Sequence, residues 1–327
     1  MMSNNHLTRE ELQDYVHNVF GASYLITQSA RIHGGAQKVI YKIDCTNGFT
    51  CMLYVWDISS NYFQEEILNE PTFHSSYGSE LFSLNTRFLA QHGIRTPTLY
   101  DLNNDRDQHS YDFALVEYVD GQKAEAYFQR KNHKDRDELF QRIRDMLSNM
   151  HGIQRNVYGN VYGNANDNSK KVGPCYQVQR LDAETALSYA SKHMTDIRKN
   201  DERLLEKLYE LESAIQPRDL YSFIHGELGP DHIWIDHAMQ PCLIDIEGAG
   251  FFDLEHEHSF LEFRFGDFYH YLKNNDLDPE RMTFYRFCHH LSLISGGLKL
   301  LHRQFPDQQF ARGLAEYHAR CAVQMLS

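Results

Sequence analysis

The feature that most restricts the fold is a change in hydrophobic periodicity near Gly121. Before it, residues 24–56 alternate β-prone runs with glycine-containing turns (YLITQSARI, HGGAQ, KVIYKIDC, TNGF, TCMLYVWD), which predicts a three-stranded antiparallel meander. After it, residues 122–151 and 180–214 place apolar residues at helical spacing. A chain of 327 residues with this division is expected to form an α+β protein with two lobes.

The domain boundaries follow from the elements predicted on either side of this change. We expect a helix over Arg9–Phe20 before the meander, a second helix over 79–93, and two further strands in TPTLYDL and YDFALVEYVDG. The sequence therefore predicts a small β-rich N-terminal lobe (1–116), a hinge (117–121) and a larger helical C-terminal lobe (122–327). Nucleotide sites favour clefts between such lobes.

Composition and charge restrict the partners. The net charge of −13, from 45 acidic and 32 basic residues, disfavours nucleic acid and anionic membranes as partners and is compatible with a cationic substrate. No run approaches the roughly 20 apolar residues of a membrane helix, and the N-terminus lacks the pattern of a signal peptide. The six cysteines are scattered and no zinc motif occurs. We expect a cytoplasmic protein with reduced thiols.

The most specific chemical signal lies in residues 223–247, where HGELGPDHIWID is followed by CLIDIEG. A carboxylate at Glu227 precedes one short strand and Asp245 ends the next, so a β-hairpin would bring Glu227, His232 and Asp245 to one end of the strand pair. Phosphoryl transfer needs held phosphates, a metal that neutralises charge and an aligned hydroxyl group, with little covalent work by the protein. The pattern predicts a site of this kind.

Two weaker signals would complete a nucleotide site. Gly34 and Gly35 lie between two predicted strands, where glycine lets the backbone approach a phosphate, although glycine more commonly marks a plain β-turn. The strand ALVEYVDG ends in a polar segment whose backbone at Glu117, Tyr118 and Val119 could meet an adenine edge.

These motifs together resemble the aminoglycoside phosphotransferase family, which has a protein-kinase-like fold. The family signature runs His-Gly-Asp-Leu-His-Pro-x-Asn-hydrophobic, then hydrophobic-Ile-Asp-Trp/Phe-Glu and Gly-Asp-Pro, and HGELGPDHIWID and LIDIEGAGFFDLEHE follow its order. The likeness extends to the glycine turn, LNTRFLAQHGIRTP, LVEYVDG and LSNMHG. It implies an enzyme that transfers the γ-phosphate of ATP or GTP to a hydroxyl group of a small molecule.

The resemblance also assigns roles, with two departures in the hairpin. It implies that Glu227 orients the acceptor hydroxyl, that His225 stabilises the loop, and that Asp245, His232 and Glu247 bind Mg²⁺ or Mn²⁺. Glu227 stands where the family has Asp and reaches about one methylene further, and a misplacement of about 1 Å can cost on the order of 10²-fold in rate. His232 replaces an Asn, and imidazole suits Mn²⁺ better than Mg²⁺.

A third departure lies in the small lobe. The family has a phosphate-binding lysine in the third strand, and Tyr54 stands in its place. Lys42 is a candidate replacement, because it lies two residues from Ile40 on the preceding strand and shares its face. The alternative is that Lys42 is exposed to solvent.

Acidic residues follow the hairpin in the region that shapes the acceptor pocket in the family. The resemblance implies that Glu255, Glu257 and Glu262 contact the substrate, whereas the alternative is a solvated helix face.

Two functions remain open at this point. The first is the phosphotransferase, and the second is a pseudokinase that binds a nucleotide or another ligand without efficient phosphoryl transfer. The three substituted positions motivate the second hypothesis.

Overall fold

The computed structural model describes residues 6–32, 35–69, 76–129, 133–161 and 173–326. The chain divides into two compact units, one formed by the described residues up to 122 together with 234–247, and the other by the described residues of 123–233 and from 248 on. The first contains an antiparallel sheet and the second is mainly helical, so the predicted α+β class is confirmed. The predicted boundaries at 1–116, 117–121 and 122–327 remain predictions, because compactness alone does not identify a hinge.

The β-rich unit is built on a five-stranded antiparallel sheet of order β1-β2-β3-β5-β4. Its helices and strands are α1 (Arg9–Phe20), β1 (Ile26–Ile32), β2 (Val39–Cys45), β3 (Thr50–Trp56), α2 (Gln64–Asn69), α3 (Ser79–Gln91), β4 (Leu99–Asn103) and β5 (Asp112–Glu117). Helix α1 starts where expected because Thr8 and Glu11 form a capping box, each side chain accepting a hydrogen bond from the other's backbone N–H. The meander, the two helices and the two further strands are all confirmed.

The two faces of this sheet have different neighbours. On one face, alternate residues of β2 and β3 join α1 in an apolar core that includes Leu12, Val16, Val39, Tyr41, Ile43, Cys51, Leu53 and Val55. On the other face, Tyr54 and Trp56 of β3 pack edge-on or tilted against Phe82 of α3, with ring centroids 5.5 Å from it in both cases. Because side chains alternate along a strand, the even-numbered residues of β2 share this second face.

The remaining elements follow Gly121. They are β6 (Gly121–Lys123), α4 (His133–His151), β7 (Gln154–Arg155), α5 (Cys175–His193), α6 (Thr195–Ser213), β8 (Tyr221–Ile224), β9 (Ile233–Asp236), β10 (Pro241–Leu243), β11 (Gly250–Phe252), α7 (Leu254–Phe265), α8 (Pro279–His302) and α9 (Gln308–Gln324). The short strands form two sheets, of order β10-β9-β6 and β11-β8-β7. The predicted strand IWID corresponds to β9, whereas only Cys242 and Leu243 of CLIDI belong to β10, which ends two residues before Asp245.

The helical unit buries its core between α5, α6, α8 and α9. Asp253, which precedes α7 and is 0% exposed, accepts a hydrogen bond from Tyr285 and pairs with Arg281, both on α8. Helices α8 and α9 approach closely at Gly297, where a β-carbon would lie 2.7 Å from the carbonyl oxygen of Ala311. The contacts of Asp253 fix the start of α7 against α8, and the close approach at Gly297 joins α8 to α9.

A group of buried histidines lies among α7, α8 and α9. His290 and His318 bring their Nδ1 atoms to 2.8 Å, and His289 bonds to the carbonyl oxygen of His256 at 2.9 Å. His258 bonds through Nδ1 to the Tyr269 hydroxyl at 3.1 Å, where burial and the charge of His151 lower its pKa to about 3. Burial therefore favours the uncharged form of these imidazoles.

None of the helices in the described part of the chain is long and apolar enough to cross a bilayer.

Candidate functional site

The segment after β10 carries two of the predicted metal ligands in a constrained backbone. Asp245 has a φ of 55°, in the left-handed region that few non-glycine residues adopt. The side-chain amide of Asn85 on α3 donates to the carbonyl oxygens of Ile246 at 2.7 Å and Glu247 at 3.3 Å. Such strained positions persist where surrounding contacts hold them, and they cluster at functional sites.

Both carboxylates bind one lysine that the sequence analysis missed. The Lys38 Nζ atom lies 2.6 Å from Asp245 Oδ1 and 2.6 Å from Glu247 Oε1, and the Trp56 indole donates to Glu247 Oε1 at 3.2 Å. These four side chains are termed the Lys38 cluster below. Only 8% of the Lys38 side chain is exposed. Burial acts to lower the pKa of Lys38, but Asp245 and Glu247 outweigh it and raise the pKa above its ordinary value.

The donor set of this cluster fits a hard divalent cation. Asp245 and Glu247 each direct one oxygen to the same cationic group, and carboxylate oxygens are the ligands that Mg²⁺ prefers. Among the residues described, no group of three or more His, Cys, Asp or Glu side chains is arranged to hold a metal ion. A metal at Asp245 and Glu247 would therefore need further oxygens from water or phosphate, as Mg²⁺ sites commonly do.

Tyr54 occupies the position expected for the strand lysine, and Lys38 lies beside it. Tyr54 is 6% exposed, and the Lys38 ammonium is 5.2 Å from the centroid of its ring. Ile40 pairs with Tyr54 in the sheet register, so Lys38, two residues earlier, is a diagonal neighbour on the same face. The alternation that made Lys42 a candidate applies equally to Lys38, and this was the available signal.

Lys42 has different partners. Its ammonium lies 3.2 Å from Asp44 Oδ1 and 4.9 Å from the centroid of the Tyr118 ring, and about a third of its side chain is exposed. A role for Lys42 and Tyr118 in nucleotide binding remains a prediction.

The polar segment predicted to meet an adenine edge is held at its start by Glu117. Its N–H donates to the Thr98 carbonyl at 2.8 Å, and its carboxylate accepts from the Thr98 N–H at 2.9 Å and from Arg95 at 3.1 Å. Val119 is 7% exposed. The glycine turn is described only in part: Gly35 is exposed before Lys38, and Gly34 lies outside the described residues. Nucleotide contacts at these positions remain predictions.

In the helical unit, the loop after β8 is held by one buried acid. Glu257 of α7 is 0% exposed and accepts hydrogen bonds from the N–H groups of His225 at 3.0 Å and Gly226 at 2.8 Å. The His151 Nε2 atom lies 3.3 Å from the same carboxylate. Burial acts to raise the pKa of Glu257, but the bond and charge of His151 and the contacts of His225 lower it to about 2. The loop, with Gly226 at a φ of 93°, is thus fixed from behind by a carboxylate that stays ionised.

The front of this loop presents Glu227 to solvent. The His232 Nδ1 atom lies 2.8 Å from the Glu227 carbonyl oxygen, and the rings of His232 and His225 stack with centroids 5.7 Å apart. Asp231 pairs with Arg264 of α7. Burial acts to raise the pKa of Asp231, but His232 and Arg264 lower it below its usual range. Within this loop the His225 side chain is buried, at 1% exposure, whereas Glu227 is accessible to solvent.

The three acids expected to contact substrate all have partners within the chain. Glu255 receives two hydrogen bonds of 3.0 Å from Arg218, and Glu262 accepts from Arg286 at 3.0 Å. The alternative of a solvated helix face is wrong for Glu255 and Glu257, which are 2% and 0% exposed. Substrate contact by Glu255, Glu257 and Glu262 remains a prediction.

Comparison with protein families and with solved structures finds similar phosphotransferases. Residues 85–261 match the phosphotransferase enzyme family (APH). Spectinomycin phosphotransferase APH(9)-Ia, in a structure with ADP and spectinomycin, is similar with a TM-score of 0.64 and 12% identity, over 97% of this chain and 98% of that chain. A thermostable mutant of aminoglycoside phosphotransferase APH(4)-Ia has a TM-score of 0.62 and 12% identity, over 94% of this chain and 98% of that chain.

A mutant of aminoglycoside 2'-phosphotransferase-IIIa, in a complex with GDP, has a TM-score of 0.60 and 13% identity, over 98% of this chain and 100% of that chain. At these identities the likeness shows the fold, and the predicted kinase-like fold is confirmed. No curated protein matches the chain.

Proposed function

Because the chain belongs to the phosphotransferase enzyme family, we propose that it transfers the γ-phosphate of ATP or GTP to a hydroxyl group of a small molecule. The observation that carries this proposal is the match over residues 85–261, more than half of the chain, which includes Glu227, His232 and Asp245. Solved structures of similar fold with bound ADP or GDP support nucleotide binding.

We assign the following roles to the side chains of this site. Asp245 and Glu247 would hold Mg²⁺ or Mn²⁺, which neutralises charge on the phosphates when bound. Glu227 would accept the hydrogen bond of the acceptor hydroxyl and aim it, as its exposure on a fixed loop allows. His225 would keep that loop in place through its backbone bond to Glu257. His232, bonded to the Glu227 carbonyl, would limit the loop's freedom or join the metal ligands.

For the acceptor, we propose a small hydroxylated molecule with cationic groups. The net charge of −13 would attract such a molecule at long range. The complex of a similar phosphotransferase with spectinomycin is in keeping with an acceptor of that size.

Two substitutions test the assignment when nucleotide binding and phosphate transfer are measured separately. Asp245→Asn should abolish the thermal stabilisation that ATP gives in the presence of Mg²⁺ or Mn²⁺. Glu227→Gln should retain ATP binding and lower the rate of transfer by about 10²- to 10⁴-fold. Glu210→Gln, on the exposed face of α6, is the matched control.

The experiment needs a panel of hydroxylated metabolites and antibiotics, with ATP consumption measured in Mg²⁺ and in Mn²⁺. If the unaltered protein binds no nucleotide with either metal, the proposed function is wrong.

A non-catalytic nucleotide-binding protein is the second candidate, and the Lys38 cluster favours it. Lys38 already holds Asp245 and Glu247, and a metal would have to displace it from at least one of them. Metal-dependent binding without transfer to any acceptor in the panel, unchanged by Glu227→Gln, would support this candidate.

A further inference from the structure

We propose that Lys38 is the lysine that binds the nucleotide phosphates in this protein, supplied from the start of β2 instead of from β3. This inference rests on the proposed function, because it assigns a residue to the same nucleotide site. Four observations carry it, and all lie within the β-rich unit.

The first is position. Lys38 comes immediately before β2, and its diagonal neighbour across the ladder is Tyr54. Tyr54 cannot provide a cation, because a phenol carries no positive charge in either of its protonation states. The Lys38 ammonium, 5.2 Å from the centre of that ring, restores a positive charge at the place where the tyrosine removes one.

The second observation is burial on the functional face. The side chain of Lys38 is 8% exposed, whereas that of Lys42 on the same face is 34% exposed. A lysine is rarely buried unless it is paired, and here the partners are two side chains assigned to the metal. A lysine that only made the surface soluble would be exposed, so solubility does not explain the burial of Lys38.

The third observation is charge. One ammonium lies between two carboxylates, so Lys38, Asp245 and Glu247 together carry a net negative charge. An ammonium has three N–H donors, and the two carboxylates use two of them. When a divalent cation takes over the carboxylates, the ammonium can turn its donors to phosphate oxygens, for which lysine acts as a compact point charge.

The fourth observation is rigidity. Trp56 and Asn85 hold Glu247 by its carboxylate and its backbone carbonyl, so the partner of Lys38 is fixed before a nucleotide arrives. A positioned cation binds phosphate without the cost of ordering a free side chain.

The first test compares ligands that differ in their number of phosphates. In Lys38→Met, the dissociation constants for ADP and ATP should rise by about 10- to 100-fold, since a bond to a charged group is lost, while that for adenosine should not change. Lys38→Arg should recover part of the loss. Lys42→Met should weaken ADP binding less than Lys38→Met, and Lys207→Met, which removes a partly exposed lysine of α6, controls for the loss of charge. Equal losses for ADP and adenosine, or a larger effect from Lys42→Met, would overturn the proposal.

The second test uses the unaltered protein, because Lys38→Met leaves two buried carboxylates without their cation and can unfold the unit. An acyl phosphate of ATP transfers its acyl group to a nearby lysine: the ammonium loses a proton to solvent, the amine attacks the acyl carbonyl, the acyl–phosphate bond breaks, and an amide forms as ATP and a second proton leave. Mass spectrometry should find the amide on Lys38, and excess ATP should suppress it. Labelling of Lys42 alone would overturn the proposal but leave the proposed function intact, whereas an absence of ATP-protected labelling with no ATP binding would overturn both.

Discussion

At the scale of single residues, Glu257 holds the loop that carries Glu227. One carboxylate accepts from two backbone N–H groups of the Glu227 loop and contacts His151. Glu257→Gln should lower the free energy of unfolding by about 2–3 kcal/mol, because an amide supplies only one accepting oxygen and turns an NH₂ group towards a donor. Urea denaturation of the purified protein measures this loss.

Glu262→Gln is the matched control for that experiment, since it changes the same side chain in the same helix. Its pair with Arg286 is partly exposed, so the cost should stay below about 1 kcal/mol. Similar losses for the two variants would show that Glu257 does not hold the loop.

Single residues also show where sequence reasoning about the site succeeds and where it fails. Asp245 could be found because its motif is local, and Lys38 could not because its role depends on carboxylates about 200 positions away. The internal pairing of Glu255 with Arg218 was equally hidden, because an acidic run looks the same whether its charges face water or arginines of the same unit. Alternation of side chains along β2 makes Lys38 and Lys42 equal candidates. Only the folded structure distinguishes them, because Lys38 is buried and Lys42 is partly exposed.

At the scale of elements, the contact between α8 and α9 yields a prediction from two adjacent glycines. A β-carbon on Gly297 would lie 2.7 Å from the Ala311 carbonyl and 3.0 Å from the Ala315 side chain, whereas one on Gly296 would meet nothing within 4 Å. Gly297→Ala should destabilise the protein by about 1–3 kcal/mol by forcing the helices apart. Gly296→Ala should stabilise it by up to about 1 kcal/mol, since alanine favours helix.

The two melting temperatures, compared with that of the unaltered protein, measure this difference. A melting temperature of Gly297→Ala that does not fall below that of the unaltered protein would mean that the helices separate without cost at Gly297.

Elements whose own residues define their ends or their pairing were predicted correctly from the sequence. Helix α1 matches its predicted bounds because Thr8 and Glu11 define its start, and the meander follows from alternating residues and glycine turns. The pairing of Gly121–Lys123 with β9 was not predicted, because it joins segments far apart in the chain. Its only local sign is Gly121, where a β-carbon would lie 2.0 Å from the Ile235 carbonyl.

At the scale of the whole molecule, the buried histidines predict acid sensitivity. Burial lowers the pKa of His289 and His318 to about 4, and burial with the charges of His318, His289 and Arg286 lowers that of His290 to about 3. The unfolded chain binds protons near pH 6.5, where the folded chain does not. Stability is therefore complete above that pH and falls as the pH drops towards 4, by up to about 1.4 kcal/mol per pH unit for each histidine.

Urea midpoints measured between pH 7.5 and 5 test this dependence. His318→Gln removes one titrating group and should flatten the slope, even if it lowers stability at every pH. His237→Gln, at a side chain that is 80% exposed, should leave the slope unchanged. An equally steep slope in His318→Gln would show that the acid sensitivity arises elsewhere.

The order in which the chain is made has a consequence for the β-rich unit. The last segment of that unit, Trp234–Glu247, follows about 110 residues that belong to the helical unit. At translation rates of about 5–20 residues per second, these take on the order of ten seconds to emerge from the ribosome. During that interval the five strands can pair, but Lys38 has neither carboxylate partner and β9 is missing beside Gly121. A nascent chain halted before residue 234 should therefore expose an incomplete, chaperone-dependent sheet, and the same unit should close once residue 247 has been released.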